Sequence, residues 1–81
     1  MFEVNVSIHE KDRKIGAMVK ALAFEIGNKQ AVVGASKEFL ERNGYYVFHF
    51  NTTQKAQEFK DAVANYLPAF LAQCEGHIKN I

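Results

Sequence analysis

An internal disulfide is closed to this chain: Cys74 is its only cysteine. Its order must therefore come from an apolar core, and one unpaired thiol suits a reducing compartment. Tryptophan is absent and proline occurs once, at Pro68. Proline removes a backbone donor and blocks helices and central strands, so almost the whole chain is free to form regular elements. Charge of one sign is missing too. Ten Lys and Arg face nine Asp and Glu, a formal net charge of +1. Such a balance gives no field for duplex DNA or for an anionic membrane surface. No apolar stretch reaches the roughly 18 residues a membrane span needs. The opening Met-Phe-Glu-Val-Asn-Val carries neither the basic region nor the apolar run of a secretory signal. The expectation is a soluble, cytoplasmic protein with no membrane partner.

Hydrophobic residues make up 48% of the chain and charged ones 23%. That is a globular rather than a disordered balance. Residues 1–81 are expected to form one domain, exposing about 5,000 Å² once folded.

Phe2 to Ile8 alternates strictly: Phe2, Val4, Val6 and Ile8 share one side, and Glu3, Asn5 and Ser7 the other. This is the period of a half-buried strand. After a polar break, Asp12 suits a helix N-cap. Ile15, Met18, Val19, Leu22 and Ile26 then recur at helical spacing until Gly27-Asn28. Gly16 inside the run and Phe24 on its far side leave a β-hairpin over 12–27 as the competing reading. Gln30 to Ser36 reads as a strand with a bulge at Gly34. Lys37 to Arg42 continues that strand or forms a short helix, and Asn43-Gly44 is a hairpin signal. Tyr45 to Phe50 is the clearest strand. Asn51 with Gln54 begins a helix whose core face is Ala56, Phe59, Val63, Leu67 and Phe70, kinked or divided at Pro68. Gly76 to Ile81 is a tail or a last strand.

The order β-α-β-β-α, with a terminal strand open, predicts an α+β fold: a two-layer ferredoxin-like sandwich with an antiparallel-type sheet and two helices on one face. In this reading the first strand and Tyr45–Phe50 lie side by side and parallel. Tyr46, Phe48 and Phe50 turn toward the helices. Tyr45, Val47 and His49 join Asn5 on the open face as a binding surface.

The segment Asn43-Gly44-Tyr45-Tyr46-Val47-Phe48-His49-Phe50 resembles the second signature of the RNA recognition motif. That signature runs basic, Gly, aromatic, small, aromatic, aliphatic, any, aromatic. Gly44, Tyr45 and Phe50 match, and Ala56 sits where the family's second helix carries alanine. The chain departs from it at Asn43, Tyr46 and Val47. The resemblance implies single-stranded RNA stacked on open-sheet aromatics; an RNA-binding domain of this kind would use Tyr45 and His49 with Lys37 and Arg42 flanking them.

Other chemistry is sparse. His9, His49, Cys74 and His77 are of zinc-ligand type, and Cys74 and His77 form a C-x2-H pair. Against them stands the commoner reading of surface histidines and a small half-buried thiol, so no metal or other cofactor is expected. No Gly-rich phosphate loop, G-x-S-x-G, H-E-x-x-H or paired-carboxylate motif occurs, and catalysis is not expected. Acylphosphatases share the strand order, but the glycine-rich, arginine-bearing loop after their first strand is replaced here by His9-Glu10-Lys11-Asp12-Arg13. Asn51-Thr52-Thr53 is formally a glycosylation sequon, read as a helix start.

Apolar residues beyond the predicted core remain. Ala17, Ala21 and Phe24 form a second stripe on the first helix, and Phe70 and Leu71 follow Pro68. Surplus apolar surface marks interaction sites. The sequence therefore predicts a small regulatory or binding module that docks a protein, either a second copy as a homodimer or a larger target. Single-stranded RNA binding is the alternative, and small-ligand or metal sensing a further one.

Overall fold

The computed structural model describes residues 1–9 and 13–81, the side chain of Arg13 excepted. The expected Asp12 cap and the segment 10–12 lie outside the described residues. Strands β1 (Phe2–Ile8), β2 (Val32–Gly34), β3 (Tyr45–Phe50) and β4 (Ala72–Asn80) form one sheet in the order β2-β3-β1-β4. Helices α1 (Arg13–Gly27), α2 (Lys37–Asn43) and α3 (Thr53–Tyr66) complete an α+β fold. No described helix is long and apolar enough to cross a membrane.

Every neighbouring pair in the sheet is antiparallel. This corrects the expected parallel pairing of β1 and β3, whose register runs from Phe2↔Phe50 to Ser7↔Tyr45. The reason is topological. The crossover through α1 makes β1 and β2 parallel to each other, and β3, entering between them, must run against both.

Alternation nonetheless decides the faces as expected. Val4, Val6 and Ile8 of β1 are buried with Tyr46, Phe48 and Phe50 of β3. They meet Ile15, Val19 and Ala23 of α1 and Ala56, Phe59 and Val63 of α3 in one core. Both long helices therefore cover the same face. Accessible surface totals 5200 Å², close to the value expected from mass alone.

Several local expectations change. The stretch 12–27 is helical from Arg13 on, not a hairpin, but Met18 points outward at 43% exposure while Ala23 is fully buried. Ala23 lies one turn beyond Val19 on the stripe that faces the sheet. β2 is shorter than the predicted strand. It begins after a 3₁₀ turn at Lys29–Ala31 and shifts register between Val32 and Gly34. Lys37–Asn43 is a helix, capped by the Ser36 hydroxyl, which accepts from the Phe39 N–H at 3.0 Å. Asn43-Gly44 consequently ends a helix rather than turning a hairpin. Gly44 takes the left-handed conformation at φ 83 and donates its N–H to the Leu40 carbonyl. The α3 cap is Thr52, not Asn51: its hydroxyl accepts from the Lys55 N–H at 3.1 Å. Leu67 ends α3 before Pro68, so Phe70 leaves the predicted core face and stands 74% exposed in the following turn. The last strand extends over Ala72–Asn80, well beyond the predicted tail.

Candidate functional site

The open face of the sheet is a grid set by register. Glu3 lies between His49 and Lys79, Asn5 between Val47 and Glu75, and Ser7 between Tyr45 and Gln73. Each of the four predicted open-face residues, Asn5, Tyr45, Val47 and His49, is half-buried there. His49 Nε2 approaches Glu3 Oε1 at 3.3 Å. This contact joins residues far apart in sequence, so only the strand register reveals it. Asn5 Oδ1 is buried on this face and has no hydrogen-bond donor among the described residues. Tyr45 meets the ring of Phe39 edge-on, centroids 6.1 Å apart. Helix α2 thus leans on the aromatic that the RNA reading needs as a platform.

The antiparallel register separates the zinc-type residues. His9 follows β1 at the end where its N–H binds the Leu71 carbonyl, whereas His49 pairs near the start of β1. A parallel pairing of β1 and β3 would have set them near the same end of the sheet; the antiparallel pairing puts them at opposite ends. Cys74 is opposite Val6 and so takes the helix-facing side, away from the open face. The described residues contain no group of three or more His, Cys, Asp or Glu placed to hold a metal ion.

Burial pushes the Cys74 thiol up from its ordinary value of 9.0 to about 11, against the opposing pull of the Lys60 ammonium. A thiol so held is a poor nucleophile and a poor metal ligand. Alkylation by iodoacetamide at pH 8 should be on the order of 100-fold slower in the folded protein than in urea, as followed by mass spectrometry. The folded thiol keeps its proton where the unfolded one has lost it. Stability from this group is therefore complete below pH 9 and falls as pH rises through about 11. Cys74→Ala should flatten that part of the urea-midpoint profile; an unchanged slope would show that the thiol is not the group responsible.

On the other side of the molecule, α1 carries the predicted stripe. Ala17, Ala21 and Phe24 are exposed, Phe24 to 55%. A shallow groove runs past Lys20, Phe24, Asn28 and Lys29 to Val32 of β2. A second lies between α1 and α3, lined by Met18, Ala21, Leu22, Ala62 and Tyr66. The grooves share Ala21 and Glu25, which lie between them on the exposed surface of α1. Met18 and Tyr66, 68% exposed, belong to this surface although the sequence did not mark them for it. Tyr66 lies i+7 from the buried Phe59, so a helical projection would set it beside the core; its exposure comes from its place as the last residue of α3, which only the structure shows.

Phe70 and Leu71 line neither of these grooves. Leu71 is moreover half-buried against the core. No family model, no curated protein and no solved structure matches the chain.

Proposed function

We propose that this chain is a small non-enzymatic binding module, regulatory in role, which docks a larger protein through the outer face of α1 and α3. Its frame is read as ferredoxin-like, two interleaved β-α-β units with the helices on one side. The observation that carries the reading is the exposure of Phe24, Met18 and Tyr66 on adjoining grooves lined in part by alanine. Aromatic residues and methionine are the types enriched where protein surfaces meet, and small residues between them leave room for a partner's side chains. Lys20, Glu25 and Lys29 supply a polar rim of mixed sign, which suits a protein target better than a polyanion.

Single-stranded RNA has less support. Glu3 and Glu75 flank Asn5 on the open face, and Tyr45 is engaged by Phe39. Both carboxylates would lie near a bound phosphate backbone.

The test is a photo-crosslinking residue placed at position 24 in cells, with exposed position 58 on α3 as the control. A single polypeptide captured from position 24 and not from 58, which binds the purified protein and is lost with Phe24→Asp at unchanged thermal midpoint, supports the reading. A crosslinking pattern indistinguishable between the two positions, or binding of mixed-sequence RNA at low salt that Tyr45→Ala abolishes, overturns it.

A further inference from the structure

β4 closes the sheet on one side and is the long edge, with nine residues against three in β2. Along an antiparallel pair, alternate residues aim their N–H and C=O at the neighbouring strand and away from it. The His9 N–H donates to the Leu71 carbonyl at one end, and the Ile81 N–H to the Met1 carbonyl at the other. With Asn5↔Glu75 and Glu3↔Lys79 in register, Glu75 and Lys79 bond inward to β1. By the same alternation Cys74 and Asn80, on either side of the register shift, turn their backbone groups to the outside. Within the shifted stretch the Gly76 carbonyl accepts from Lys60 Nζ of α3 at 3.2 Å.

The side chains of this strand are complementary to themselves. Glu75 and Lys79 both stand on the open face, opposite Asn5 and Glu3. Glu3 is engaged by His49, and neither Glu75 nor Lys79 has an ion-pair partner among the described residues. Consider two β4 strands antiparallel about a two-fold axis through His77. Cys74 then meets Asn80 of the second copy as a hydrogen-bonded pair of outward-facing residues, and the same pair recurs on the other side of the axis. Glu75 faces Lys79 of the second copy, and symmetry repeats the contact.

We propose that two copies of this chain join through their β4 edges into one continuous sheet, kept in register by reciprocal Glu75–Lys79 pairs. The pairing gives hydrogen-bond partners to a row of backbone groups that an edge strand otherwise leaves open. Gly76, at φ 66 beside the register shift, bends the edge, and Lys60 must swing off the Gly76 carbonyl as the copies meet. Both features blunt an edge, so association is reversible and concentration dependent. The inference does not rest on the helical docking face. α1 borders β2, at the far side of the sheet from β4.

Sedimentation equilibrium of the full chain at low salt tests it. The wild type should show a monomer–dimer equilibrium that Phe24→Asp leaves unchanged. Glu75→Lys and Lys79→Glu should each weaken it by at least about tenfold, because each sets like charges opposite each other twice. An equimolar mixture of the two single variants should regain dimer, since both contacts of the mixed pair are again of opposite sign. A wild type that stays monomeric at millimolar concentration, single reversals without effect, or a mixture that fails to recover would overturn the proposal. A dimer lost with Phe24→Asp alone would overturn it too, by moving self-association to the helical face.

Discussion

Phe59→Ala should destabilise the protein by about 3–5 kcal/mol, which approaches the whole stability expected of a domain this size. Phe59 is fully buried on α3, its ring centroid 4.9 Å from Phe48 and 5.1 Å from Phe50. It is thus the contact through which α3 holds the central strand. Truncation removes the transfer energy of the ring and leaves a cavity whose walls, fixed in a sheet, have little freedom to close it. The urea midpoint should fall steeply and much of the variant should be unfolded near 37 °C. Phe24→Ala, the same chemical change at an exposed site, should move stability by less than about 0.5 kcal/mol. A loss below about 1 kcal/mol for Phe59→Ala would mean that α3 does not pack on β3 as described.

Gly27→Ala should cost about 2 kcal/mol, although alanine is the better helix former. A Cβ at position 27 would stand 2.8 Å from Ala31 Cβ and 2.8 Å from Phe50 Cδ1. Ala31 is fully buried and Phe50 nearly so, so neither can yield without moving the turn after α1 or the end of β3. Overpacking of this kind costs about 1–3 kcal/mol. Gly27 is the last residue of its helix, where the propensity gain of up to about 1 kcal/mol available in a helix interior is small. Gly16 makes the comparison. Its added Cβ would also meet an atom at 2.8 Å, but that atom is the hydroxyl of Tyr46, at the outer end of a side chain. Gly16 is the fourth residue of α1, where more of the propensity gain applies than at its last residue, so Gly16→Ala should be the milder change. Equal losses for the two variants in chemical denaturation would contradict the packing of Gly27 against β3.

Local pattern alone settles a good deal here. The alternation of Phe2–Ile8 and of Tyr45–Phe50 sorts each side chain to the core or the open face, because strand periodicity is fixed by backbone geometry whatever the neighbours. The spacing Ile15–Met18–Val19–Leu22–Ile26 points to α1 with Phe24 outside, but it leaves a hairpin over 12–27 open and turns Met18 inward, where the structure buries Ala23 instead. The same local view misleads where two outcomes share one motif. Asn43-Gly44 serves a hairpin or a helix end equally well, since a residue tolerant of positive φ is needed in both. Only the helix formed by Lys37–Asn43 selects between them.

The candidate surfaces divide along the same line. Composition, near-neutral charge, the strands and their inner and outer rows, and the exposed stripe of α1 are properties of the sequence by itself. They depend on residue type and on periods of two and 3.6, which act over a few neighbours. Strand direction, the separation of His9 from His49, the contact of His49 with Glu3 and the free outer edge of β4 belong to the tertiary structure. Each depends on which strands become neighbours, and a chain decides that by burying all its apolar faces together in one core.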